Sequence, residues 1–278
     1  MKYPGKNSLF LNCDISYSNT IPMKNYFSLS KFDKKTKILT SKYNFGNYSA
    51  QSKSLLLENV KKILTTQKKL PTKYYGKRAI IIGGSRGLGF LTTQILLNSG
   101  INVVATYFNN LDYLNQLKKK YINELNIKKL NILNNKSFDR FLHKHSNYDY
   151  IFNFSSCKIK KTYKIIDKVY LDKLLLYYLT PLKVILKKFK VFKKPTKIFN
   201  PSTIYLNDKN SLFKEYNISK KQSENFCKRA NFLSKIKFFS YRLNTFDTDQ
   251  HYAIYDKKIK NNFKEYLSIL ENFLKWKK

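Results

Sequence analysis

The sequence predicts an α/β protein, a doubly wound parallel sheet in three α/β/α layers, preceded by an N-terminal extension. Three observations predict it. The short run RAIIIGG (78–84) is nearly all apolar, as a strand buried on both faces must be, and YDYIFNF (148–154) and IKFFSYRL (236–243) are further strand candidates. They alternate with longer stretches whose apolar residues recur at helical spacing. Between the first such strand and its helix stands GGSRGLG, residues 83–89. Strand–helix alternation implies βαβ units with right-handed crossovers, hence a parallel sheet.

The elements follow in order. Residues 1–72 read as an extension of unknown role, and residues 73–278 as the main domain. Within the extension YFSLSKF and KILTSKYNF alternate as strands do, and SKSLLLENVKKIL places Leu56, Val60, Ile63 and Leu64 on one helical face. From Lys77 the rhythm of the main domain begins with RAIIIGG. LGFLTTQILLNS then predicts a helix with Leu88, Leu91 and Ile95 on one face and Gly100 at its C-terminal stop. INVVATY is the second strand, and further strands are expected at KKLNIL (128–133), 148–154, TKIFNPS (196–202) and 236–243. Helices are expected over 166–190, 212–234 and 257–276, the last with Ile259, Phe263, Leu267, Leu270 and Leu274 at helical spacing. No seventh strand is evident.

Composition narrows the function classes. The 278 residues hold 54 Lys+Arg against 17 Asp+Glu, a net charge of +37, which raises nucleic acid or an anionic membrane as partners. Nearly all of that charge is lysine, because arginine occurs only at 78, 86, 140, 229 and 242. Lysine lacks the planar fork that reads phosphates and bases, and it is spread over the whole chain among Asn, Ile, Tyr and Phe. That pattern is a compositional bias, so nucleic acid is not the expected partner. Cys13, Cys157 and Cys227 lie far apart, and His143, His145 and His251 form no ligand cluster with them, so neither a disulfide framework nor a metal site is expected. No apolar run reaches the roughly 18 residues of a membrane span. The N-terminus has no apolar signal core, and the expected compartment is the cytoplasm.

A dinucleotide site needs a strand ending in a tight turn whose backbone can approach a pyrophosphate, followed at once by a helix N-terminus. Gly83, Gly87 and Gly89 supply such a turn in that context. At the end of the second strand an acid would bond a free ribose 2′-hydroxyl, but TYFNN (106–110) contains none. Arg86, inside the loop, can meet a 2′-phosphate, so NADP(H) is expected over NAD(H).

YNISK, residues 216–220, places Tyr216 and Lys220 one helical turn apart on a single face. A tyrosine titrates near 10 in water, and a neighbouring ammonium favours its phenolate, so the pair can act as an acid/base unit. The strand end NPST precedes this helix, with Ser202 available to a substrate oxygen.

Taken jointly, these segments resemble the short-chain dehydrogenase/reductase family from about residue 77 to 245. IIGGSRGLG is similar to its cofactor loop, IFNFSS (151–156) stands at its NNAG-like strand end, FNPST carries its serine and YNISK matches its Tyr-x-x-x-Lys. The resemblance implies a Rossmann fold, with Gly83, Ser85, Arg86, Gly87, Leu88, Gly89, Asn153, Tyr216 and Lys220 contacting the cofactor. It implies hydride transfer to or from a carbonyl or alcohol carbon of a small molecule. Tyr216 would exchange the proton, Lys220 would lower its pKa and hold the ribose hydroxyls, and Ser202 would stabilise the alkoxide. By the same analogy the chain would be a homodimer or homotetramer.

There are departures. Tyr177 stands where the family has a helix-four asparagine, Phe154, Ser155 and Ser156 follow Asn153, and NTFDTDQ replaces the usual Pro-Gly after the sixth strand. Only about residues 244–257 remain to cover a substrate. A catalytically impaired nucleotide-binding sensor of the same fold is therefore the alternative, and a nucleic-acid-binding platform a third reading.

Overall fold

The computed structural model describes residues 8–19, 23–56, 65–162, 165–189, 196–208, 212–233, 236–246, 248 and 263–276. The chain divides into two compact units, Met1–Lys61 and Lys62–Lys278.

The first unit is a four-stranded antiparallel sheet of β1 (Ser8–Tyr17), β2 (Met23–Asp33), β3 (Ile38–Gly46) and β4 (Tyr48–Leu56), in the order β1-β4-β3-β2. The two strands read from the sequence are β2 and β3. Only the start of the expected helix is described, and there Leu56 closes β4; Val60, Ile63 and Leu64 lie outside the described residues. Residues 48–56 ladder with β1 on one side and β3 on the other, and pairing on both edges overrides an apolar spacing that also suits a helix.

Because side chains alternate along a strand, register decides which residues share a face. Ile15 pairs with Ala50, Tyr17 with Tyr48, Phe45 with Tyr48 and Phe27 with Tyr43, which puts these apolar groups on one face. Ring centroids 5.1 Å apart join Tyr17 to Tyr48 and Phe27 to Tyr43 across the strands. Lys31, Lys42 and Lys53 belong to the opposite parity and face the other way.

The second unit is the predicted doubly wound sheet. Strands β5 (Arg78–Ile82), β6 (Asn102–Tyr107), β7 (Leu125–Lys129), β8 (Tyr150–Asn153), β9 (Lys197–Thr203) and β10 (Lys237–Leu243) are all parallel, in the order β10-β9-β8-β5-β6-β7. Counted from β5, this is the 3-2-1-4-5-6 order of dinucleotide folds, with its switch point between β5 and β8. The helices are α1 (Gly87–Asn98), α2 (Asp112–Lys120), α3 (Asn135–Lys144), α4 (Lys168–Tyr178), α5 (Thr180–Phe189), α6 (Lys214–Leu233) and α7 (Phe263–Lys275).

Alternate residues of β5 feed two cores. Ala79 and Ile81 pack with α1, α2 and α7, whereas Ile80 and Ile82 pack with α3, α5 and α6. Phe273 of α7 anchors the first core, its ring 5.1 to 5.9 Å from Phe152, Phe199, Phe239 and Tyr150.

Three expectations shift. The third strand is Leu125–Lys129, not 128–133, because LNI occurs twice, at 125–127 and 130–132, and β6 pairs with the first copy. The helix expected over 166–190 breaks into α4 and α5 at Leu179. The last helix runs from Phe263, and Ile259 lies outside the described residues.

Candidate active site

The turn between β5 and α1 is shaped by backbone crowding. Gly83 has φ +78°, a left-handed conformation that suits glycine, and a Cβ there would lie 2.9 Å from the Ser155 amide nitrogen. A Cβ on Gly89 would drive into the Gly83 carbonyl. The loop is tied to β6 by the Gly83 amide donating to Thr106 Oγ1 at 3.1 Å and the Gly84 amide donating to the Thr106 carbonyl at 2.9 Å.

No side chain caps α1 and its first turn holds no acid, so its amides and the positive end of its dipole suit an anion. Ser85, Arg86, Gly87, Leu88 and Gly89 line one end of a cleft of about 1300 Å3, with Thr106 through Asn110 beside them. None of these is a carboxylate, and Arg86 is exposed there. Asn153 is buried in the cleft wall, its side-chain oxygen accepting from the Ser155 amide at 3.3 Å. A turn that admits only glycine and an uncapped helix end fit a dinucleotide pyrophosphate.

The same cleft reaches Tyr216 and Lys220, one turn apart on α6 as expected. The Lys220 ammonium donates to the Pro201 carbonyl at 2.7 Å and lies 3.8 Å from the centroid of the Tyr178 ring, a cation–π contact made inside the fold. Tyr178 also meets the Tyr216 ring edge-on at 5.6 Å, and its hydroxyl is hydrogen-bonded to Ser156 Oγ.

The hydroxyl beside Tyr216 is not that of Ser202. Ser202 Oγ donates to Glu224 Oε1 at 2.6 Å, and Glu224 in turn takes two bonds of 2.9 Å from Arg242. Asn200, of the same strand parity, likewise bonds Ser223 and Ser240. The next residue, Thr203, is the one whose side chain favours ionisation of the Tyr216 phenol. Thr203 Oγ1 accepts the Tyr205 amide at 3.3 Å, which leaves its own proton to donate toward the phenol oxygen or a substrate oxygen. Similarly, Tyr178 rather than Tyr177 confronts Lys220; Tyr177 lines the cleft farther out.

Electrostatics set the protonation states. Burial lifts the Tyr216 phenol well above its ordinary value, and the Thr203 side chain only partly opposes this. Burial also brings the Lys220 ammonium down to about 7, against the pull of Glu224. Tyr216 therefore holds its proton at neutral pH. For Glu224 burial works upward, but the bonds from Arg242 and Ser202 hold its carboxyl below the usual range.

Sequence reasoning missed three residues. Thr203 was detectable from spacing, since it stands thirteen residues before Tyr216 and Ser202 fourteen. Tyr178 falls on a buried stripe with Tyr170 and Leu174 at four-residue intervals. Glu215, buried next to Tyr216, accepts the Asp167 amide at 2.7 Å and the Thr162 hydroxyl, fastening the segment before α4 to the start of α6. Nothing in its local sequence signals that role. Among the described residues no group of His, Cys, Asp and Glu could hold a metal ion, and no helix is long and apolar enough to cross a membrane.

Comparison with known proteins agrees with this geometry at the level of fold. No protein-family model and no curated protein sequence matches the chain. Solved structures do. A short-chain dehydrogenase from Burkholderia cenocepacia in complex with NADP superposes with a TM-score of 0.60 at 14% identity, over 73% of this chain and 86% of its own. A short-chain dehydrogenase from Streptomyces avermitilis gives 0.54 at 16% identity, over 63% and 68%. An alcohol dehydrogenase from the archaeon Thermococcus sibiricus, complexed with 5-hydroxy-NADP, gives 0.53 at 16%, over 60% and 75%. The second unit has the Rossmann fold of short-chain dehydrogenases.

Proposed function

We propose that the chain is an NADP(H)-dependent oxidoreductase of the short-chain type that reduces a carbonyl on a small molecule. One observation carries this: a single cleft joins the glycine loop to Tyr216 and Lys220. Its volume of about 1300 Å3 exceeds the usual small-molecule pocket, leaving room for a substrate beside a dinucleotide. A bound nicotinamide would supply the hydride.

The remaining steps belong to the chain. The α1 amides and Gly83 would hold the pyrophosphate, and Arg86, exposed on the cleft wall, would meet a 2′-phosphate. The complexes of the Burkholderia and Thermococcus proteins with NADP and 5-hydroxy-NADP support a nicotinamide ligand for this fold. Tyr216, protonated at neutral pH, donates its proton to the carbonyl oxygen, and Thr203 donates a hydrogen bond to the same developing alkoxide. Lys220 supplies positive charge beside the phenolate that results. A protonated phenol is the form that reduction requires.

Tyr216→Phe should lower carbonyl-dependent NADPH oxidation at least about a hundredfold while NADPH fluorescence titration stays within a factor of about two. Full activity in that variant would remove Tyr216 from the reaction. The Tyr178 ring over Lys220 favours a second reading, a nucleotide-binding sensor in which the lysine is committed to structure. Under that reading the native chain binds NADPH and oxidises it with no carbonyl.

A further inference from the structure

One face of the antiparallel sheet exposes large apolar side chains, while Leu39 and the small Ser41, Ser52 and Ser54 on the same face are buried. Ile15 is 70% exposed, Phe10 62%, Tyr17 59%, Phe45 58% and Tyr48 55%, and the strand register puts all five on the same side. Every charged strand residue with a defined cross-strand partner, Asp14, Lys31, Asp33, Lys42 and Lys53, falls on the other side. In a chain of net charge +37, a contiguous aromatic face free of lysine demands a partner, because apolar patches of this extent mark interaction surfaces.

We propose that this face docks on the same face of a second copy, forming a two-layer β-sandwich about a twofold axis. Charge opposes pairing least at this face. Two copies at +37 repel each other, and a lysine-free face lets them approach closely; the lysines of both sheets then point away from the joint. Area argues for it. Four strands of nine to eleven residues span roughly 30 Å by 19 Å at the usual strand spacing and rise, so a fully overlapping pair buries up to about 1,100 Å2. That reaches the roughly 1,000 Å2 that a specific interface needs. Stacked sheets pack about 10 Å apart, a gap that Phe and Tyr side chains from two faces fill. A membrane surface suits the face less well, since Lys31, Lys42 and Lys53 would point away from the lipid head groups. This inference stands apart from the proposed chemistry of the cleft.

Sedimentation velocity of the full chain over a concentration series tests it. The native protein should pass from monomer to dimer with rising concentration. Phe45→Lys should weaken the dimer at least about thirtyfold, whereas Lys42→Glu on the opposite face should leave it within about threefold. Cys13 pairs with Ser52, belongs to the apolar face and is exposed in the monomer, which provides a readout without substitution. Its alkylation by a small maleimide, followed by peptide mass spectrometry, should be slow above the dimer dissociation constant and fast below it. A monomer at all concentrations with an unchanging Cys13 rate, a dimer that Phe45→Lys leaves intact, or flotation of the monomer with anionic phospholipid vesicles would each overturn the proposal.

Discussion

The two sheets are built from the same Tyr-, Phe- and Lys-rich vocabulary, yet they use it in opposite ways. In the parallel sheet helices cover both faces, so β8 is buried along its whole length and β5 everywhere beyond Arg78. Its apolar residues run on without alternation. In the antiparallel sheet β1 is exposed from Phe10 to Tyr17, and register puts Phe10, Ile15 and Tyr17 on one side while Leu9 pairs with Leu55 on the other. A continuous apolar run therefore reports two covering layers. An alternating one reports a single face whose cover must come from somewhere else.

The sharpest way to break that contrast is at the glycine loop, at the end of the first parallel strand. Gly89→Ala places a methyl group against the Gly83 carbonyl, which is backbone and cannot swing aside. The expected result is loss of NADPH binding in a fluorescence titration, with destabilisation of at least about 4 kcal/mol by urea unfolding. Normal binding would show that the loop relaxes at little cost.

Next in size is the aromatic anchor of the covered sheet. Phe273→Ala removes a fully buried ring that touches four others, and about 3–4 kcal/mol of stability should go with it. A loss under about 1 kcal/mol would mean that α7 is not integral to the core.

Lys220 tests the same unit at its functional end. Its ammonium is buried and its folded pKa is about 7, against 10.5 when exposed. Between those values the unfolded chain holds a proton that the folded one has released, so stability rises with pH from about 7 to about 10.5 and is flat below. Lys220→Met should abolish turnover, flatten that slope and add about 1–3 kcal/mol at pH 7. An unchanged slope would place the titration on another group.

How much of this was legible depends on what each signal encodes. β5, α1 and β6 were readable because a buried apolar strand, a glycine turn and a helical stripe reinforce one another over thirty residues. Tyr216 and Lys220 were readable because a four-residue interval on a helix brings side chains together wherever the helix sits. Ser202 was misread because a strand's parity is set by what packs on each face, and only Glu224 and Tyr216 in place reveal which hydroxyl turns which way. Tyr178 was not singled out because adjacent tyrosines are distinguished only by the stripe with Tyr170 and Leu174. β1 and β4 were not read at all, since their ladder partners lie up to 48 residues away, as Ser8 and Leu56 do.

The smallest expected effect sharpens the comparison most. Phe45→Ala makes the same substitution as Phe273→Ala, but at a ring that is 58% exposed in the single chain. Measured below the dimer dissociation constant, its effect on unfolding should stay within about 0.5 kcal/mol, because little area is returned to water. Measured above that concentration, the loss should grow, since the ring is then part of an interface and its removal is felt through mass action. A concentration-independent cost of several kcal/mol would instead mean that the aromatic face is covered within one chain, and the difference between the two sheets would disappear.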